Sequence, residues 1–459
     1  MKSKSFLLAF VLILSGGGVW SQQKYELTVQ QAVELAYKNV IEVKNAVIDY
    51  RIQEAQNKEI FGRVFPQVSA NVGAQYYVKL PQVLFPQSDA NVYNVLKDQN
   101  LIPQSTNVPQ PILIPFSFQQ PWNLLAGATV QQLLFQPDVF VGLQARKASL
   151  NLSSALLEQT KEGVKDSAYR RYYAILIAER QLQFLDSSIK RLEKLYRDDS
   201  IMYKNGFAER LDLDRVQVQL NNLNTTRSIV DNGVKISYAA LKFSLGVSQQ
   251  DTVVLQENLS TETIKEGLLE NAFAYEDRAE IRTLEVSKEL QLLDLKRNRL
   301  AALPTAALSG NYSINGQGQQ FFTDKDTRWL KSSYIGLNVS VPLFDGFQRK
   351  YRTVQAQLRV DKIDNTITNV KQAIDFQQTA SLQGLKSALY NLDVQERNQQ
   401  LAQRVYSTTK LKFEQGLGSS FEVLQADSDF QTAQFNYFNA LYSATIARIG
   451  YRSALGKLQ

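Results

Sequence analysis

Histidine and cysteine are both missing from the 459 residues. Their absence removes thiol nucleophiles, disulfides, imidazole bases and most transition-metal ligands together, so neither a metal nor a cofactor is expected. Proline is scarce, and none occurs between Asp138 and Asn205 or between Asp345 and Gln415. Past the first residues, no run reaches the roughly 18 consecutive apolar residues that mark a membrane-crossing helix. Concentrated charge is missing as well. The formal net charge is +7, but stretches such as "RLEKLYRDD" mix both signs, and no basic block carries interleaved aromatics. The basic excess belongs to solvated helix faces, and no nucleic-acid partner is expected. Hydrophobic residues at 44% and charged residues at 21% describe a folded chain.

What is present begins with "MKSKSFLLAFVLILSGGGVWSQQ". Lys2 and Lys4 precede an apolar core from Phe6 to Leu14, and Val19 and Ser21 fit the small-residue positions before a cut at Ser21/Gln22. This is the pattern of a secretion signal over residues 1–21. Nine apolar residues fall short of the about 20 that a spanning helix needs. No cysteine follows the cut to carry an acyl anchor. An exported chain without a spanning helix that still enters a membrane must do so as a barrel.

The chain repeats itself. "RVFPQVSANVGAQY" (63–76) matches "LAALPTAALSGNYSI" (300–314), and "VQQLLFQPDV" (130–139) matches "VSVPLFDGFQ" (339–348). "YKNGFAERLDLDRVQVQL" (203–220) matches "FEQGLGSSFEVLQADSDF" (413–430), with Gly206 opposite Gly416. Gly246 stands opposite Gly456 at the same offset of 210 residues. The organisation is therefore a first repeat over 22–246, a linker over 247–266 and a second repeat over 267–459. Each repeat reads helix, strand, strand, long helix, turn, helix.

The proline-free runs predict helices of unusual length, with apolar seams at Leu182, Leu185, Ile189, Leu192 and Tyr196, and at Leu382, Leu385, Leu389 and Leu392. Some 68 residues would span roughly 100 Å. Helices over about 27–62 and 209–245 together nearly equal one long helix, which suits two short helices stacked end to end against it. Asp138 and Asp345 suit the long helices' starts, and Gly206 and Gly416 the left-handed turns that end them. Seams of this kind are coiled-coil core.

Four strands are predicted, near 66–80, 122–135, 304–320 and 333–344. The first alternates Val68, Ala70, Val72 and Ala74 with Gln67, Ser69, Asn71 and Gln75; the fourth puts Ile335, Leu337, Val339, Val341 and Leu343 on one face. A single-chain transmembrane barrel needs at least eight strands, roughly. Four cannot close, so other copies of the chain must complete the edges. The apolar face, with Val68, Val72, Val339 and Val341, then meets outer-membrane lipid, and the polar face a watery lumen. Phe65, Phe135 and Phe344 gather by the helices, and Tyr76, Trp122, Phe321, Phe322 and Trp329 at the far strand ends, as aromatic girdles do.

These segments resemble the TolC-like outer-membrane efflux family. The resemblance rests on the signal peptide, "LTVQQAVELAYKNV", "FPQVSANVGAQY", "VPLFDGFQRKYRTVQAQ" and, most clearly, "GLGSSFEVLQADSDFQTAQFNYFNALYSATIARIGYRSALGKL". It implies a mixed α and β fold in which long antiparallel coiled-coil helices form an α-barrel, and in which each chain adds four strands to a trimeric 12-stranded transmembrane β-barrel. It implies an outer-membrane location with the helices in the periplasm, a periplasmic adaptor and an inner-membrane pump as partners, and a passive duct rather than an enzyme. It also places Phe413 and Gly418 where some members carry a latching Tyr and Arg.

The sequence departs from the family pattern once more, whereas the acids after the two turns stand where the resemblance places the family's tip acids. Residues 81–121 form a Pro- and Gln-rich insertion at the strand ends away from the helices, readable as a lid packed by its own apolar residues or as a recognition loop. Acids follow the two glycine turns: Asp212 and Asp214 after Gly206, Glu422 and Asp427 after Gly416. Ser419-x-x-Glu422 has capping-box spacing, and first-turn acids oppose the helix dipole. The matched pair Asp212 and Glu422 also suits a cation-favouring carboxylate ring around a tunnel mouth, with Asp214 and Asp427 as weaker members. A trimeric coiled-coil surface stalk would share the signal and seams, but would carry its strands at one end of the chain. A carboxylate-based secreted enzyme would need a concave, loop-rich site that the long helices do not provide.

Overall fold

The computed structural model describes residues 23–257, 264, 273–321, 325 and 327–458. The secretion signal, Phe322 and part of the 247–266 linker lie outside them. The described chain runs β1 (Lys24–Leu27), α1 (Val29–Asn39), α2 (Ile41–Gly62), β2 (Gln67–Tyr76), β3 (Val83–Gln87), α3 (Ala90–Asp98), β4 (Ile112–Phe116), β5 (Trp122–Phe135), α4 (Pro137–Lys204) and α5 (Arg210–Leu245). It continues through β6 (Thr252–Leu255), α6 (Ala279–Leu300), β7 (Thr305–Gly318), β8 (Arg328–Ser340), α7 (Gln348–Glu414) and α8 (Ser420–Ala454). No helix among the described residues is long and apolar enough to cross a membrane.

Two compact units cut across the repeats, each repeat contributing to both. One comprises 53–149 and 289–361 and holds a four-stranded sheet in the order β2-β5-β7-β8. Every pairing in it is antiparallel, leaving β2 and β8 as edges. The four strands expected from alternation are all there, with β8 starting five residues early at Arg328 and ending at Ser340. Val341 and Leu343, assigned to that strand from their spacing, therefore lie beyond it. The chain has more strands than four. β3 and β4 pair within the 81–121 insertion, and β1 pairs in parallel with β6.

Within the insertion Phe116 and Phe118 pack edge to face at 4.8 Å, but most of its large apolar residues are not enclosed. Leu84, Phe85, Ile112 and Phe116 stand exposed, and α3 buries none of its side chains. A two-stranded ribbon with a short helix has too little surface to enclose a core.

The other unit comprises 1–52, 150–288 and 362–459. Its largest cluster packs Val29, Ala32, Val33 and Ala36 of α1 on Tyr172 and Ile175 of α4 and on Leu241 and Leu245 of α5. The Tyr172 hydroxyl donates to the Leu27 carbonyl at 2.9 Å, tying the β1 end to α4. Thr28 and Gln31 form the capping box that starts α1. In place of the one helix expected over about 27–62 there are two, because Val40 takes extended backbone between them. Gly246, with φ +66°, ends α5 so close to this point that a Cβ there would lie 2.7 Å from the Asn39 carbonyl carbon. Gly456, φ +69°, is packed in the same way on Asp277, where a Cβ would lie 2.8 Å from the carbonyl oxygen.

Candidate functional site

The sheet has two chemically different faces because its registers keep like residues in rows. Ser69 lies opposite Thr129 and Asn71 opposite Gly127, while Thr129 lies opposite Asn311 and Gly127 opposite Ser313. Side chains join these rows: Asn311 donates to the Thr129 hydroxyl at 3.1 Å, the Ser313 and Ser332 hydroxyls lie 2.8 Å apart, and Ser309 donates to the Gly336 carbonyl at 3.3 Å. The reverse face carries Val68 opposite Val130 and Leu308 opposite Leu337. Val72 on that face is 85% exposed, and Val68, Ile335 and Val339 are exposed as well. In a soluble protein such a face would be covered, and among the described residues this one is covered only at its far end, where Leu124 is buried.

Aromatic pairs bracket the strands. Phe61 and Phe65 lie 5.3 Å apart, Phe135 and Phe140 5.6 Å, and Phe344 and Phe347 5.5 Å, all where helix meets strand. At the other end Tyr76 lies near Trp122 at 4.9 Å and Trp122 near Phe321 at 4.6 Å. The Trp329 ring covers Gly316, where a Cβ would sit 2.8 Å from it.

The two glycine turns share one hydrogen-bond pattern. Gly206 (φ +79°) and Gly416 (φ +76°) are left-handed. Phe207 donates to the Met202 carbonyl at 2.8 Å and Gly206 to that of Tyr203 at 3.0 Å. Leu417 donates to the Lys412 carbonyl and Gly416 to that of Phe413, both at 2.9 Å. This is the paired-bond ending of a helix that needs a left-handed residue.

The four acids after the turns differ in their surroundings. Glu422 is exposed and completes a capping box with Ser419, whose hydroxyl accepts from the Glu422 amide at 3.3 Å. Asp212 sits 3.6 Å from Arg215 in the first turn of α5. Asp214 is exposed, 3.4 Å from Arg210. Asp427 is instead a core residue. It is 1% exposed and accepts from Arg191 Nε at 3.0 Å and from Gln431. Burial pushes its carboxyl up, and the Arg191 guanidinium opposes that shift.

Asp199 lies away from the turns and carries no sequence mark of a turn residue. It is fully buried on α4, accepts from the Ser420 hydroxyl, and its Oδ1 has no hydrogen-bond partner among the described residues. Burial pushes this carboxyl up, with Asp212 and Asp198 adding to the shift and Ser420 opposing it. No cluster of acids among the described residues could hold a metal ion.

Residues 274–457 match the family described as outer membrane efflux protein. The outer membrane protein TolC of Vibrio cholerae is 21% identical over 340 residues, 73% of this chain and 77% of that protein. The chain is TolC-like. Its fold agrees: the Campylobacter jejuni CmeC outer membrane channel has a TM-score of 0.69 at 16% identity, over 94% of this chain and 85% of that channel. The open state of the Neisseria gonorrhoeae MtrE outer membrane channel has a TM-score of 0.69 at 14% identity, over 94% and 89%. These relatives are described as outer-membrane proteins and channels.

Proposed function

We propose that three copies of the TolC-like chain close one 12-stranded outer-membrane barrel and one periplasmic α-barrel, forming a passive duct. The observation that carries this reading is the four-stranded sheet. It has two free edges, one hydroxyl and amide face, and one exposed aliphatic face bracketed by aromatics. Unpaired edges and an exposed aliphatic face are both relieved when three sheets join around water in lipid. The duct serves a tripartite efflux or type I secretion assembly, receiving cargo through a periplasmic adaptor from an inner-membrane pump that supplies the energy. Asp212 and Glu422 of three chains ring the periplasmic mouth with carboxylates, and Asp214 adds a weaker outer charge. Purified protein in a planar bilayer tests the reading: discrete conductance steps from the trimer are expected, and their absence in correctly folded trimer would remove the duct.

A further inference from the structure

The aliphatic face of the sheet is interrupted in one place. Inside its aromatic brackets only four of its side chains are polar: Gln132, Tyr312, Lys331 and Ser333. Gln132 is tied to the backbone where strand meets helix, donating to the Val64 and Leu133 carbonyls at 2.8 Å each. The other three stand together. Tyr312 of β7 lies opposite Ser333 of β8, and Ile314 lies opposite Lys331. Lys331 and Ser333, two positions apart, leave the same face. All three are exposed, and none has a hydrogen-bond or ionic partner among the described residues. No carboxylate faces them from the sheet, since β2, β5, β7 and β8 contain neither Asp nor Glu.

This polar island lies towards the end of the wall away from the helices. Phe135, Ala306 and Val339 form one row beside the helices, and Lys331 stands eight positions from Val339 along β8. That is roughly 20 Å up a barrel wall at the usual strand rise and tilt, against an apolar band about 25 Å tall. Trp329 follows on the same face, two positions beyond. The Lys331 ammonium, carried on a long flexible stem, therefore reaches the level of outer-leaflet headgroups. An ammonium and hydroxyls left unpaired beside hydrocarbon are costly. An ammonium can only donate, so the partner that relieves it is an anion rich in acceptor oxygens.

We propose that Tyr312, Lys331 and Ser333 form a binding site for the phosphate of a lipid headgroup, one site per copy on the outer wall of the barrel. The site rests on the duct reading, which turns the aliphatic face to lipid. Closing the barrel leaves it intact. β8 is an edge strand, and the strand joining it from the next copy would be β2, whose side chains on this face are Val68, Ala70, Val72, Ala74 and Tyr76. None of these is an acid that could compete for Lys331.

Native mass measurement of the detergent-solubilised trimer tests the site. The probes are a phosphatidic acid and the diacylglycerol with the same chains, each doped into the micelles, and inorganic phosphate in the buffer. The wild type should retain phosphatidic acid, one per copy, in preference to diacylglycerol. Lys331→Gln should weaken that binding roughly five-fold, the share of one basic side chain at a charged membrane surface. Tyr312→Phe with Ser333→Ala should weaken it as well, while Lys79→Gln, past the end of β2, should leave it unchanged. Phosphatidic acid binding that ignores Lys331→Gln, or that is no stronger than diacylglycerol binding, overturns the site and leaves the lipid-facing wall standing. Displacement by inorganic phosphate at comparable concentration would make this a site for the free ion and overturn the lipid assignment. A folded trimer that retains neither lipid removes the lipid-facing wall itself, and the site with it.

Discussion

Asp199 is a buried acid with one oxygen bonded and the other left without a donor among the described residues. Its carboxyl is held above the ordinary value of 3.8, so the folded state binds a proton more readily than the unfolded one. The stabilising share of that proton is full below the ordinary value and is lost as pH rises through the raised one. Asp199→Asn keeps an acceptor for Ser420 and removes the charge. It should stabilise the fold at pH 7.5 by on the order of 1 kcal/mol, read as a raised melting temperature. The gain should vanish as pH falls below the ordinary carboxylate range. A gain that persists unchanged in acid would mean the charge is not the cause. Asp212 and Glu422 make a different expectation, because both stand near solvent. Asp212→Asn with Glu422→Gln should weaken block by divalent cations and lower cation preference. If the pair only supports helix starts, the same substitutions should instead destabilise the fold by about 1 kcal/mol and leave block unaltered. The sequence carries a signal for both buried acids, Asp199 and Asp427. Leu192, Leu195 and Asp199 share the spacing of one helix face, as do Val423, Asp427 and Phe430, so both acids occupy apolar-seam positions.

The strands of the sheet were readable because alternation over ten or more residues fits the two-residue period of a strand and not the period of a helix. Each strand also had a counterpart in the other repeat. What escaped was short or carried no marker of its own. β1 and β6 are four residues each, too short for alternation to show, and they matter only as a pair across more than 200 positions. The break at Val40 has no neighbouring proline or glycine to announce it. Face assignment is the part of the sheet most open to test. Val72 and Asn71 are neighbours whose side chains leave opposite faces. Lys at a barrel's lipid face costs about 2–4 kcal/mol at the midplane, whereas the lumen tolerates charge. Val72→Lys should therefore cut the yield of folded protein in the outer membrane severely, and Asn71→Lys should not. Equal yields would show that the hydroxyl face is not the wet one.

The protomer leaves two kinds of surface unfinished, and both call for more copies. The first is the pair of free strand edges on β2 and β8. The second is a stripe on α5, where Leu211, Val218, Ile229, Ile236 and Phe243 are exposed at separations of 7 or 11 residues, which keeps them on one helix face. Phe376, Tyr390 and Leu411 of α7 are exposed as well. Packing the α5 stripe against another copy would remove apolar side chains from water at about 1.5–3 kcal/mol each. Native mass measurement in detergent should accordingly find a trimer for the wild type; a well-folded monomer would sink the shared barrel. Ile236→Asp with Phe243→Asp should lower the trimer fraction at a given protein concentration while circular dichroism shows the helices intact. The two strand edges would still favour assembly, so the loss should be partial and should deepen on dilution. A trimer fraction insensitive to both substitutions would place the α5 stripe away from the subunit seam. Assembly would then rest on the strands, with some other surface covering these five side chains.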